Sequence, residues 1–122
     1  MNCCFFISKY VLLTNHQCKK LITILDDLIA HCYVKSFQFA NRNDCHPVCL
    51  AILMELQKKY PHIQLMIHAS TQSSSKKNIK YAMIDDCLYC IFYYNEQQKG
   101  SKLAFEYAVK KKKVVINLTK KD

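Results

Sequence analysis

The stretch from residue 87 to residue 118 reads CLYCIFYYNEQQKGSKLAFEYAVKKKKVVINL, and it decides the predicted fold. It begins with the apolar run 87–94 and passes through a polar turn to Gly100, the one glycine of the chain. Helical spacing of apolar residues follows over 103–108, and a second apolar run covers 114–118. Strand, glycine turn, helix and strand in this order are typical of parallel α/β sheets that hold phosphates and nucleotides. Because glycine adopts backbone angles that other residues avoid, its single use here indicates a special task for this turn.

The rest of the chain alternates in the same way. Apolar or alternating runs predict three earlier strands, over 2–8, 33–39 and 63–67. Helical spacing predicts helices from a capping box at Thr14 and Gln17 to Cys32, from Pro47 to the Tyr60-Pro61 stop, and over 79–86. The polar segment 69–78 lies between the third strand and the third helix. We therefore predict α/β class: a single Rossmann-like three-layer domain over residues 1–122, with a five-stranded, mostly parallel sheet.

The charge balance is strongly basic. The net charge is +9, almost all of it from lysine, because Arg42 is the only arginine. A basic surface suits nucleic acid or an anionic small molecule. Unlike arginine, lysine cannot pair with a base or a phosphate in bidentate geometry. The lysine run 110–113 also lies at the end of a predicted helix, where positive charges are favourable for the helix itself. Nucleic acid is therefore an alternative partner, and a small anion is the first expectation.

The apolar segments are too short for a membrane span. No run approaches the roughly 18 residues that a bilayer-crossing helix needs. The first residues lack the basic region that opens a secretory signal. We expect a cytoplasmic protein without a membrane partner.

The eight cysteines fall mostly at apolar periodic positions, where a reduced thiol behaves as a small hydrophobe. Cys87 and Cys90 have C-x-x-C spacing, but they lie in a predicted strand, which would point the two thiols to opposite faces. Cys45, His46 and Cys49 offer a weak zinc pattern, since no second ligand pair has matching spacing. We predict no metal and no cofactor.

Three stretches resemble a known family. They are CCFFISK at 3–9; FQFANRN at 37–43 with the helix pattern of 48–63; and 83–95 with 99–102 and 114–118. Together they resemble the SLOG superfamily, a Rossmann-like group that includes DNA-processing protein A and the LOG (Lonely Guy) cytokinin-activating phosphoribohydrolases. More narrowly, the chain resembles a bacterial and phage branch of that group.

The chain departs from the family pattern at its glycine turns. The family's first strand ends in Gly-His-Arg, and the corresponding residues here are Ile7, Ser8 and Lys9. Ile7 would add a branched side chain where a ligand lies against the first strand. The other departures are Ala40 and Asn43 at two family glycines, His46 at a family aspartate with Asp44 nearby, and Lys99 at one glycine of the final pair.

The resemblance implies a ligand site at the carboxyl ends of the strands. The residues it assigns to ligand binding are Ser8, Lys9, Asn41, Asn43, Asp44, Asn95, Lys99, Gly100, Ser101 and Lys102. The LOG enzymes use an arginine and a glutamate at the glycine-rich turn, and Ala104 occupies the position of the acid here. The sequence also shows no nucleophile paired with a general base, and we therefore predict no catalytic residue.

Three functions follow from these residues. The first is a domain that binds or senses a nucleotide-derived or other anionic ligand near Gly100. The second is a degenerate, non-catalytic scaffold that acts through protein contacts, as a homodimer. The third is a single-stranded nucleic-acid binder, which would use the positive charge and stack bases on tyrosine and phenylalanine rings. Most of these rings fall in predicted strands, however, and are more simply explained as core residues.

Overall fold

Strands and helices alternate along the whole chain. The computed structural model describes residues 1–41, 44–68, 76–95 and 102–119, with the backbone alone for 76–78. Its elements are β1 (Asn2–Phe6), α1 (Asn15–His31), β2 (Ser36–Phe39), α2 (Pro47–Lys59), β3 (Gln64–Ile67), α3 (Lys76–Asp86), β4 (Tyr89–Phe92), α4 (Lys102–Lys110) and β5 (Val114–Asn117). No helix within the described ranges is both long and apolar enough to cross a membrane.

The described strands form one sheet in the order β3-β2-β1-β4-β5. Each neighbouring pair is parallel, and Phe6 pairs with Phe92 at the carboxyl ends of β1 and β4. The predicted α/β class and five-stranded sheet are therefore confirmed, and these pairings are parallel without exception. The order also shows that β1 and β4 are adjacent although two strands separate them in sequence.

The helices cover the two faces of the sheet in pairs. Alternate residues of β1 point to opposite faces because side chains in a strand have a period of two. Phe5 packs with residues of α1 and α2, such as Leu25 and Leu53, on what we call the first face. Phe6 packs with residues of α3 and α4, such as Ala108, on the second face. These layers are the Rossmann-like arrangement that the alternation of elements predicted.

The boundaries of the elements differ from the predicted ones where local backbone geometry intervenes. The capping box at Thr14 and Gln17 is present and begins α1 as predicted. Tyr33 has a φ of 59°, which is incompatible with the strand predicted to begin there, and β2 begins at Ser36 instead. Helix α3 begins three residues before the predicted start at Ile79, because its first turn is polar and gives no apolar periodicity.

Candidate functional site

The carboxyl ends of β1 and β4 lie side by side at the point where the strand order reverses. From β1 the chain continues through α1 on the first face, and from β4 it continues through α4 on the second face. In open α/β sheets, the loops that leave two such strands diverge and form a crevice, which is the usual ligand position. The backbone N–H of Tyr93 donates to the carbonyl of Phe6 at 3.2 Å and holds the two strand ends together.

Ser8 and Lys9 lie in the loop that leaves β1. The Ser8 carbonyl accepts the N–H of Val11 at 3.0 Å, and its hydroxyl accepts the N–H of Tyr10 at 3.3 Å. These bonds form a tight turn. Lys9 is exposed, and its ammonium lies 5.2 Å from the centre of the Tyr10 ring. The turn thus presents a cation at the crevice that the strand order creates.

Asn41 and Asp44 close the turn after β2. The side-chain oxygen of Asn41 accepts the N–H of Asp44 at 3.0 Å. The Asp44 carboxylate forms an ion pair with Lys80 of α3 at 3.6 Å, and both side chains are largely buried. These bonds have a structural role, since they connect the turn to the second-face layer. Ligand contact by Asn41 and Asp44 stays a prediction, and Asn43 lies outside the described residues.

The turn before α4 is described only at its two ends. Asn95 follows β4, and Lys102 is the exposed first residue of α4. Lys99, Gly100 and Ser101 lie outside the described residues, so the predicted anion turn stays a prediction.

Asn117 was missed by the sequence reasoning, and it holds the end of β4. Its amide donates to the carbonyl of Tyr94 at 2.7 Å, and its side-chain oxygen accepts the N–H of Tyr94 at 3.0 Å. The Thr119 hydroxyl donates to the same carbonyl at 2.6 Å. The Asn117 side chain thereby extends the pairing of β4 with β5 past Phe92 and fixes the backbone of Tyr94. An asparagine at the end of an apolar run was the available signal.

Aromatic rings beneath the crevice connect β1 to α4. Phe6 stacks on Phe92 with ring centres 4.7 Å apart. Phe105 of α4 meets Phe92 edge to face at 5.2 Å and stacks on Tyr94 at 4.6 Å. These rings pack on one another, as expected for aromatic residues that belong to the core.

His46, which the sequence placed at a family aspartate position and in the weak zinc pattern, has a structural role that the sequence did not reveal. It is 5% exposed, and its Nδ1 accepts the N–H of Val48, which caps the start of α2. Its Nε2 lies 2.6 Å from the carbonyl of Val11, an acceptor, so Nε2 carries the hydrogen. Both ring nitrogens therefore make hydrogen bonds within the protein. In this arrangement His46 has no free nitrogen to bind zinc in the weak pattern of Cys45, His46 and Cys49.

Ile7 stands at the position of a family glycine, directly after β1. It is fully buried and packs within the first-face core. The alternation of β1 continues through this residue and directs its side chain inward with Phe5. The predicted effect of this residue on ligand binding stays a prediction.

The cysteines are free thiols, and most lie in the core. Cys87 and Cys90 pack on the same face with Cys4, because β4 begins only at Tyr89 and Cys87 lies outside the strand. The predicted opposite orientation is therefore wrong. The Cys4 thiol donates to the sulfur of Cys90 at 3.5 Å. Burial raises the pKa of Cys49 to about 12, so this thiol stays protonated at neutral pH.

No known family model matches this chain, and no curated protein matches it either. The resemblance to the SLOG superfamily accordingly stays a prediction from the residues. Within the described residues, no group of histidine, cysteine, aspartate or glutamate side chains is arranged to hold a metal ion.

Proposed function

We propose that this protein binds a small anionic ligand of the nucleotide class at the carboxyl ends of β1 and β4. The observation that carries the proposal is the parallel strand order β3-β2-β1-β4-β5, which reverses between these two strands. Ligands of open α/β sheets bind at such reversals, because the diverging loops leave room there and helix N-termini point their N–H groups into it.

The charges at this edge support an anion. Lys9 is exposed on the β1 loop, and Lys102 is exposed at the start of α4. The first turn of α4 contributes backbone N–H groups without helical partners and the positive end of the helix dipole. The net charge of +9 adds a long-range attraction for anions. The residues that resemble the SLOG superfamily favour a nucleotide derivative within this class.

A thermal-shift panel of ATP, ADP, AMP and inorganic phosphate tests the proposal. A nucleotide present at a hundred times its Kd should stabilise the fold by about 2.7 kcal/mol, a rise in Tm of about 10 °C. Lys9→Glu and Lys102→Glu should each weaken this shift, because they reverse the charge at the site. Lys35→Glu is the matched control: Lys35 is exposed before β2, at the amino edge of the sheet, and its variant should keep the full shift.

The proposal fails if no nucleotide raises Tm, or if Lys35→Glu reduces the shift as much as Lys9→Glu does. Gly100→Val adds a further test of the turn predicted from the sequence, since it should abolish the shift. Binding of oligonucleotides that weakens steeply with salt, without any effect of mononucleotides, would instead support the nucleic-acid alternative.

The scaffold alternative has one observation in its favour. A shallow apolar groove of about 240 Å³ lies between α1 and α2, lined by Ile22, Ala51, Ile52, Glu55 and Leu56. Met54 on α2 is 55% exposed. If this surface forms a homodimer, the mass measured by light scattering should double with concentration, and Ile22→Lys should return it to that of a monomer.

A further inference from the structure

A cavity of about 320 Å³ lies on the second face, away from the crevice. It is lined by Gln38, His68, Ile79, Ala82, Met83 and Asp86. It lies between α3, which packs over β1, and the β2–β3 half of this face. Met66 of β3, which is in register with Gln38, is 42% exposed there. The volume is at the lower end of the range for small-molecule sites.

A chain of hydrogen bonds runs beside this cavity. The Asp86 carboxylate accepts the amide of Asn2 at 3.0 Å and the amide of Gln38 at 3.1 Å, both at Oδ2. The side-chain oxygen of Gln38 lies 3.0 Å from Nε2 of His68. Gln38 is 3% exposed, so its amide is held in the sheet face between two titratable groups.

The direction of these bonds follows from the acceptor at one end. An ionised carboxylate only accepts hydrogen bonds, so the nitrogen of the Gln38 amide faces Asp86 and its oxygen faces His68. Nε2 of His68 must then carry a hydrogen, and in the neutral ring Nδ1 is an acceptor. The network therefore fixes the tautomer of His68.

The polar groups of the cavity are consequently dominated by acceptors. The described hydrogen bonds to the Asp86 carboxylate both use Oδ2. Oδ1 also carries lone pairs and can accept hydrogen bonds. In the neutral His68 ring, Nδ1 is a second acceptor. Ile79 and Met83 supply an apolar wall, and the described residues that line the cavity include no lysine or arginine. A ligand that complements these groups carries N–H donors, a positive charge and an apolar body.

We infer that this cavity binds a small organic cation, an amidine or amine joined to an apolar body. An amidinium is the better match, since its planar group carries several N–H donors, which can pair with Oδ1 of Asp86 and with Nδ1 of His68. The Asp86 carboxylate repels anions from the same cavity. The site is thus opposite in charge preference to the crevice at the strand ends and independent of it.

Benzamidine is the probe, titrated against ¹⁵N-labelled protein and followed by amide chemical shifts. Saturable shifts are expected at Gln38, His68 and Ile79, with a Kd on the order of 1 mM for a ligand of this size. Benzoate and benzamide, which share the ring but lack the positive charge, should bind at least about tenfold more weakly, in keeping with the loss of a charge-assisted pair.

Two variants distinguish binding in this cavity from nonspecific binding elsewhere on the protein. Asp86→Asn removes the charge and should weaken benzamidine at least about tenfold. Ala82→Phe fills the cavity from the exposed side of α3 and should abolish the shifts. Its matched control is Ala30→Phe, at an exposed position of α1 on the other face, which should bind as the native protein does. If Asp86→Asn does not fold, Ala82→Phe still tests whether benzamidine binds in this cavity.

Three results would overturn the inference: benzoate binding as tightly as benzamidine, unchanged affinity in folded Ala82→Phe, or shifts that never saturate. Nucleotide binding at the crevice is a separate measurement. Asp86→Asn should leave any nucleotide-induced rise in Tm intact, so failure of one proposal does not imply failure of the other.

Discussion

His46 shows how a single side chain joins two segments that are far apart in sequence. One ring nitrogen caps α2 and the other holds the carbonyl of Val11 in the loop after β1. That loop also carries Lys9, so the position of a predicted ligand residue depends on a histidine at the start of another helix. The buried ring is satisfied on both sides, which explains why it is tolerated in the core.

Replacing His46 separates these two tasks. His46→Ala loses the cap and the bond to Val11, and we expect it to lower the free energy of unfolding by about 2 kcal/mol. Asparagine is among the best N-cap residues, so His46→Asn should keep the cap and recover about half of the loss. Urea unfolding measures both variants. Equal losses in the two would show that the cap contributes nothing.

At the scale of the element, the end of α4 uses lysine where helices commonly use glycine. Lys112 has a φ of 59°, and the N–H of Lys113 donates to the carbonyl of Ala108 at 3.1 Å. The N–H of Lys112 itself donates to Val109 at 3.0 Å, which completes a Schellman motif. Positive φ is therefore accommodated here without glycine, so the scarcity of glycine does not by itself imply that turns were lost.

Lys112→Gly should therefore stabilise the protein. Glycine removes the steric cost of the left-handed conformation at this exposed position, and we expect a gain of about 0.5–1 kcal/mol. Lys110→Gly removes the same charge from the last helical position and should instead cost about 1 kcal/mol. Thermal unfolding of the pair gives the comparison, and a loss of stability in both variants would contradict the role assigned to Lys112.

At the scale of the whole molecule, a polar contact connects the two helices of the first face. The Tyr60 hydroxyl after α2 donates to the Asp26 carboxylate of α1 at 2.9 Å, and Lys59 pairs with the same carboxylate at 3.2 Å. The bond from Tyr60, followed by that from Lys59, lowers the pKa of Asp26 below its ordinary value. Asp26 therefore contributes stability above its unfolded pKa of about 3.9, and this contribution disappears as pH falls through the lower folded value.

Acid unfolding should reveal this contact. Tyr60→Phe should lower the urea midpoint at pH 6, and its difference from the native protein should shrink as pH falls and Asp26 takes up its proton. Glu55→Gln is the control, because Glu55 pairs with Lys58 at a fully solvated position and should change the pH profile little. A Tyr60→Phe profile parallel to that of the native protein at all pH values would exclude the assigned role.

The parts of the site differed in how well they could be predicted. The capping box of α1 and the proline start of α2 are local signals, and the structure confirms both. The orientation of Cys87 was predicted wrongly because it depended on a strand boundary two residues away. Nε2 of His46 and the side chain of Asn117 bind partners far along the chain, so the spacing of residues could not identify those partners.

The sequence by itself determined the class of this protein: periods of two and of 3.6 residues are local consequences of backbone geometry, and they alternate along the chain. The tertiary structure alone decided the strand order, the inward position of Ile7 and the polar chain from Asn2 through Asp86 and Gln38 to His68. Those features depend on which distant strands pair and on which part of a sheet face each helix covers. The periodicity of a single segment contains neither kind of information.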